Sequence, residues 1–594
     1  MATETLISPG VLTTENDQSF ITTGPVSVGL ALVGPTVKGA PNMPTVVTSY
    51  SDFKNKFGGS FTGTDGNSYE YLTSIAAYNY FNQGGTSILV NRVVSDSYTQ
   101  ATTGDTIWVS GSTSVTDATA SFTLKTINYG EIMNTSGSGE FYSGSNDTLL
   151  SGSNDNVRWE IQNVNYSQGT FTLIIRQGND TTLQKNVLET FTGCSLDPNS
   201  PNYIEAVVGN QYKTISYDTD SGWYIKTNGD YPNRSKYVYV SNVNRKTPNW
   251  FDNNGNAKAQ YTSSVLTAGS YLPAPGSGSF QGSFSGSTGD DTQSNSVTSS
   301  MFSSINSVNT QGLTNSVYAT ASSILANTDE YDFSLLSTPG IYNLDYTAVG
   351  DFINMAQSRG DCFYIMDLVN YTASIGTVTA EALERDSSYA GTYWPWVQVS
   401  SQETGKLVWV PASTVMPGVY AFSDRVSAEW FAPAGLTRGG LGGVIQAERK
   451  LSPTDRDTLY ASKVNPIATF PGVGVVAYGQ KTLQQKPSAL DRVNVRRLLI
   501  NLKRFVGNVG ETLVFEQNTT VTRNNFLASV NPYLESVQQK QGLYAFKVVM
   551  DESNNGPDVI DRNQLVGQIY IQPTKTVEFV LLSFNITPTG ASFQ

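Results

Sequence analysis

Two separated stretches of this chain, 26–94 and 330–460, follow one strand-helix-strand grammar, and the stretch between them does not. Residues 26–33 (VSVGLALV) read as a buried strand ended by Gly34-Pro35. Ser51-Asp52-Phe53 opens a short helix that stops at Gly58-Gly59. A longer helix is expected over 68–82, with Tyr71, Ile75, Tyr78 and Phe81 near one face; Ser87–Val94 follows as a strand. Beyond the interval, Asp332–Leu336 reads as a strand ending at Thr338-Pro339-Gly340. A helix over 346–359 carries Val349, Phe352, Ile353 and Ala356 at i, i+3, i+4, i+7 and is capped by Gly360. Cys362–Met366 (CFYIM) is continuously apolar, as in a sheet covered on both faces. The simplest account is one discontinuous α/β core domain, 23–95 with 330–464, interrupted by an insertion, 96–329.

The insertion is rich in Ser, Thr, Gly and Asn, with linker-like runs such as GSGSFQGSFSGSTGDD (276–291). Short β-type runs at Phe171–Arg176, Tyr203–Val208 and Lys236–Val240 make it β-rich, with two nested lobes expected to split near residue 200. Residues 1–22 form an extended polar arm broken at Pro9-Gly10. A C-terminal α+β domain fills 465–594. Val495, Leu498, Leu499, Leu502 and Val506 make an apolar helical stripe there. A second helical region flanks Pro532, and strands are expected at Ala545–Met550, Gln568–Gln572 and Val577–Phe584 before a polar tail.

Composition excludes much chemistry. With no histidine, neither a Ser-His-Asp nor a Cys-His nucleophile is possible, and imidazole cannot hold zinc. The isolated Cys194 and Cys362 imply no disulfide framework and no four-thiolate site. A net charge of −13 argues against a nucleic-acid coat, which needs a basic face. The N-terminus lacks a signal peptide, and no apolar run approaches the roughly 20 residues of a membrane span. The expectation is a protein made in a reducing cytoplasm, soluble or self-assembling, and not an enzyme.

The chemical motifs have bland readings. Gly472-Val-Gly474-Val-Val-Ala477 matches a dinucleotide fingerprint, but VAYGQKTL follows it where a helix is needed, so a glycine-rich strand is expected. Asp551, Ser553, Asn555 and Gly556 start like a calcium loop, yet Arg562 stands where a bidentate Glu belongs, which leaves a turn. Asp361 and Asp367 bracket the CFYIM strand as a solvated carboxylate or helix cap, without a visible acid/base partner. Tyr389, Tyr393, Trp394 and Trp396, with Trp409 and Trp430, read as core, although large amphipathic aromatics also suit subunit contacts. The cluster Arg492, Arg496, Arg497, Lys503, Arg504 is the strongest charge feature, either a solvated helix face or a docking face for an acidic partner.

Four segments carry a family likeness: SPGVLTTE (8–15); TGPVSVGLALVGPTVKGAPNMPTVVTSYSDFKNKFG (23–58); SSYAGTYWPWVQV (387–399) with KLVWVPASTVMPGVYAFSDRVSAEWFAPAG (406–435); and FPGVGVVAYGQKTL, VNVRRLLINLKRFV and LVGQIYIQPTKTVEFVLLSF within 470–584. In this order they resemble contractile-tail sheath proteins of bacteriophages with long contractile tails. The insertion matches nothing in that pattern.

The resemblance implies a structural subunit that stacks as hexameric rings around a tail tube and contracts to drive the tube through the host envelope for genome ejection. It implies contacts with further copies of itself, the tail tube protein, and baseplate and tail terminator proteins. Nucleic acid, membrane insertion, metal and cofactor are not expected. Terminal arms would add strands to neighbouring subunits, which singles out Pro9, Gly10, Val11 and Leu12 at one end and Val577, Phe579 and Leu581 at the other. The C-terminal domain would face the tube, making Arg492, Arg496, Arg497, Lys503 and Arg504 tube-facing candidates, and the insertion would face outward. The expected location is the virion tail, after assembly in the host cytoplasm. A secreted β-rich surface or adhesin protein is the alternative; a carbohydrate-active enzyme with two carboxylates is weaker still, because no pair is visible.

Overall fold

The computed structural model describes residues 28–62, 67–94, 99–104, 120–134, 147–219, 222–262, 272–281, 317–344 and 347–578, with positions 107, 311 and 313 between them. Strands β1 (Val28–Gly34), β2 (Thr45–Val47) and β3 (Ile88–Arg92) precede the insertion. Strands β4 (Phe333–Tyr342), β5 (Phe363–Asp367), β6 (Ala390–Trp394), β7 (Asn465–Phe470) and β8 (Gly474–Ala477) follow it. All eight form one sheet in the order β2-β3-β1-β4-β5-β6-β7-β8. The β1–β4 pairing, with Leu30 opposite Leu335, closes the sheet across the insertion. Inner neighbours run parallel, whereas β2 and β8 pair antiparallel at the two edges. Every residue of β3, β5 and β6 is buried, as parallel strands covered on both faces require.

Local signals start and stop the covering helices. The Ser49 hydroxyl caps α1 (Tyr50–Phe57) by accepting from Asp52 N at 3.1 Å. Helix α2 (Leu72–Asn82) starts later than 68, because Ser68–Glu70 is drawn into antiparallel pairing with Ser60–Thr62. Gly360, at φ 70°, ends α3 (Ala348–Arg359) in the left-handed conformation that glycine adopts without strain. Helix α4 (Ala412–Val426) lies against α2, and Gly418 permits the approach: a Cβ there would stand 3.0 Å from Asn79 O.

Four expectations are corrected. Strand β4 runs on through Thr338-Pro339-Gly340, absorbing them as an irregularity between Ser337 and Tyr342, with Gly340 at φ 96°. Within 203–208 the chain forms a one-turn helix, Ile204–Val208, that buries Ile204 and Val208 at i, i+4 spacing; so short an apolar run suits either structure. Gly276–Ser279 is a strand paired with Val157–Asn165 instead of linker. Among the described residues the insertion also shows one shared core instead of two lobes. Residues from Ala101 to Phe280, with Phe122, Leu173 and Trp250 among them, share a single apolar cluster on both sides of residue 200. The strand over 171–176 forms as expected within Thr170–Gln177, and the one expected over 236–240 forms two residues later, at Val238–Asn242.

The C-terminal unit contains α5 (Val493–Glu511), α6 (Thr520–Gln539), β9 (Leu543–Val549) and β10 (Gln568–Pro573). Leu498 and Leu502 of the expected stripe join Phe526, Val530, Leu534 and Val537 of α6 in a separate small core. Val493 and Ile500 of α5 point instead into the core of the large sheet. Helix α5 is therefore apolar on two sides and sits between two cores.

Candidate functional site at the seam of the C-terminal unit

The placement of α5 decides what its cations can do. Arg497 is 2% exposed. It makes a two-pronged pair with Asp424 of α4, Nη1 donating to Oδ1 at 2.7 Å and Nη2 to Oδ2 at 2.6 Å. Burial would lower its pKa, but the Asp424 carboxylate outweighs burial and holds it above the ordinary arginine value. Arg496 is buried with its guanidinium 4.0 Å from the Tyr389 ring centroid. Arg504 pairs with Asp332 at 3.0 Å and donates to Asp361 O. Arg492 donates to both Glu578 oxygens, at 2.7 and 3.0 Å, and also pairs with Asp491. Lys503 alone of the five is exposed, with Nζ 3.3 Å from the Tyr389 hydroxyl.

Four of the five cations, Arg492, Arg496, Arg497 and Arg504, are thus engaged within the chain. Their guanidinium groups bind carboxylates, carbonyls and a ring inside the chain, the planar two-pronged chemistry at which arginine excels. They fasten α5 to the sheet and to the root of the C-terminal arm. That root is also held by Gln480, whose amide donates to Glu578 at 3.1 Å and to the Thr576 hydroxyl.

Strands β9 and β10 pair only with each other among the described residues. Phe546, Val548, Ile569 and Ile571 pack inward on the α5–α6 core, while Tyr544 and Tyr570 stay exposed. A two-stranded sheet keeps an unpaired backbone edge on each side, and a further strand can add to either. Of the arm candidates, Val577 is 81% exposed. Pro9, Gly10, Val11, Leu12, Phe579 and Leu581 lie outside the described residues.

The other candidates are structural. Gly474–Ala477 is strand β8, turned back on β7 with no helix after it. Asp551 accepts from Ser553 N at 2.8 Å in a turn. Tyr393, Trp394 and Trp396 are buried in the large core. Both cysteines are free and buried. No group of three or more metal-ligating side chains occurs among the described residues. Asp361 takes a two-pronged contact from Arg359, at 2.9 and 2.7 Å.

Asp367, at the carboxyl end of β5, is buried and accepts from Ser413 N at 3.0 Å and from the Ser413 hydroxyl, at the start of α4. Burial pushes its carboxyl up to about 7 against the opposing Ser413 bonds. Below the ordinary carboxylate range both folded and unfolded chains are protonated here. Between that range and about 7 only the folded chain keeps the proton, so this site's contribution to stability falls as pH rises. The slope is at most about 1.4 kcal/mol per pH unit, and it vanishes above the folded-state value. Melting temperatures across this window should show the loss in the native chain and a flatter profile for Asp367→Asn.

Residues 485–587 match the phage tail sheath C-terminal domain. They span the α5–α6 pair and the β9–β10 hairpin. The tail sheath protein of Vibrio phage KVP40 is 42% identical over 185 residues, 31% of this chain and 28% of that protein. The tail sheath protein of Enterobacteria phage T4 is 36% identical over 228 residues, 38% of this chain and 35% of that protein. The chain thus spans about a third of the length of these curated relatives. The sheath tail protein of Listeria innocua overlaps 92% of this chain and 96% of its own at 11% identity and a TM-score of 0.49. The helical sheath of the anti-feeding prophage in its contracted state overlaps 46% of this chain and 76% of its own, at 22% identity and a TM-score of 0.39. By sequence, residues 485–587 are similar to a phage tail sheath C-terminal domain. Over about a third of its length the chain is similar to the tail sheath proteins of phages.

Proposed function

We propose that this chain is the structural subunit of a contractile tail sheath, stacking as hexameric rings around a tail tube and contracting to drive it through a host envelope for genome ejection. The match of residues 485–587 to the sheath C-terminal domain carries the reading. The chain then divides into an arm (1–22), a core (23–95 with 330–464, extended by strands β7 and β8 of 465–477, which complete its sheet), an outward insertion (96–329) and a C-terminal unit with its own arm in the rest of 465–594. Pro9, Gly10, Val11 and Leu12 of one subunit, and Val577, Phe579 and Leu581 of another, add strands at the open edges of β9–β10 hairpins. Lys503 is the cation of α5 left to face the tube. Head-to-tail contacts that do not close on themselves generate a helical tube, whose ends meet baseplate and terminator proteins. The assembled sheath resides in the virion tail. Work is stored at assembly and released by rigid-body rearrangement, so no nucleotide or cofactor is needed.

Negative-stain electron microscopy of the purified chain, alone and mixed with the cognate tube protein, tests this reading. Regular tubes of constant diameter are expected. Dispersed monomers under both conditions would overturn it.

A further inference from the structure

The insertion meets the core at a cleft of about 340 Å³, walled by the 40–45 loop, Gln100, the strand Thr123–Tyr129 and the hairpin Tyr212–Asp218/Gly222–Asn228. Three tyrosines line it: Tyr129, Tyr212 and Tyr239. The Tyr212 ring stacks on Tyr239 at a centroid distance of 5.5 Å and an interplanar angle of 21°, and Tyr212 remains 39% exposed. Amide side chains from Gln100, Gln211 and Asn233 also line it. The Gln100 carbonyl oxygen accepts from the Tyr239 hydroxyl at 2.6 Å, Asn233 Nδ2 donates to Gln211 O, and Gln211 Nε2 donates to Gly229 O at 3.5 Å, so the remaining capacity of these amides is what a ligand could use. Burial, reinforced by the neighbouring Tyr129 and Tyr212 hydroxyls, keeps the Tyr239 phenol protonated and neutral.

We propose that this cleft binds a neutral saccharide. The chemistry selects that class by elimination and by fit. No carboxylate lines the cleft, which disfavours a cation, and Lys213 is the only charged side chain among the lining residues, too little for a phosphate or a polyanion. A pyranose presents a C–H face that lies on an exposed aromatic ring, and hydroxyls that pair with amides and phenols. Ile127 and Ile225 give the cleft apolar patches beside these polar groups, the mixture common to small-molecule sites. The volume sits near the lower end of the range for ligand pockets, roughly 300–1,000 Å³, which suits a mono- or disaccharide or the end of a longer glycan. The inference does not depend on assembly, because every wall of the cleft belongs to one chain.

Saturation-transfer NMR on the full chain tests it, with N-acetylglucosamine, lactose, maltose and mannobiose as probes and glucose 6-phosphate as the charged comparison. At least one neutral sugar is expected to bind with Kd on the order of 0.1–1 mM. Tyr212→Ala should weaken binding at least about tenfold by removing the stacking ring. Thr227→Trp, an exposed rim position, should block the cleft by filling it. Tyr217→Ala, on the same hairpin but outside the lining, should leave binding unchanged. Melting temperatures of the variants separate lost binding from lost fold. No signal from any neutral sugar well above that Kd overturns the proposal. So does binding of glucose 6-phosphate alone, or binding that survives both Tyr212→Ala and Thr227→Trp.

Discussion

Asp424→Ala is expected to destabilise the full chain by about 3–5 kcal/mol, and Arg497→Ala by less, roughly 2 kcal/mol. The asymmetry follows from burial: the Arg497 side chain is 3% exposed, whereas that of Asp424 is 25% exposed. Removing the carboxylate strands a buried cation whose remaining acceptor is Glu429 O, at 3.3 Å. Removing the arginine leaves a carboxylate that water can already reach. A double replacement, Asp424→Leu with Arg497→Met, should return to within about 1 kcal/mol of the native chain, because a well-packed apolar pair often matches a buried ion pair. Denaturant midpoints of the four proteins measure this. A smaller loss for Asp424→Ala than for Arg497→Ala would show that the pair is not what holds the seam.

This seam has a mechanical consequence. Helix α5 contributes Val493 and Ile500 to the large core and Leu498 and Leu502 to the small one. Arg497, Arg504 and Arg492 tie it to α4, to Asp332 beside β4 and to the arm root. The sheet and the C-terminal unit are thus fastened through one helix by packing and by charge together. If the chain works as the proposed sheath subunit, this fastening would let the sheet and the C-terminal unit move together as one body. Rearrangement of packed bodies around flexible connections is a common way for an assembly to switch between two discrete states.

Local periodicity made the elements around the sheet legible. The apolar residues 28–33, the i, i+4 spacing of Phe352 and Ala356, and the FYIM part of the CFYIM run all sit in the expected elements. Where the sequence misled, a pairing partner outside the segment itself decided the outcome. Ser68–Glu70 became strand because Ser60–Thr62 offered a ladder. Gly276–Ser279 did so because Val157–Asn165 lay beside it. The same limit applied to the basic cluster. Its charge was plain, but Asp424 is 73 residues from Arg497 and Glu578 is 86 from Arg492, so no spacing rule could reveal that the cations were already paired. The tyrosine cleft was hidden for the same reason, since its walls come from well-separated stretches of chain between residues 40 and 239.

Deleting residues 1–20 is expected to leave a folded monomer and to abolish tubes. Among the described residues the sheet starts at Val28, and its partners β3 and β4 lie elsewhere in the chain. Residues 1–22 are polar in sequence and contain Pro9-Gly10. On the proposed reading the arm pairs with a neighbour's backbone, and among the described residues the β9–β10 hairpin has unpaired edges. About four ladder bonds, at roughly 1 kcal/mol net each, would be lost per subunit contact. That loss corresponds to about a thousandfold rise in the concentration needed to polymerise. Circular dichroism and the melting temperature should match the full chain, while sedimentation and electron microscopy should find no tubes where the full chain forms them. Tubes assembling at the same concentration from the truncated chain would remove strand addition by this arm as a source of subunit cohesion, and the burden would pass to the C-terminal arm rooted at Glu578.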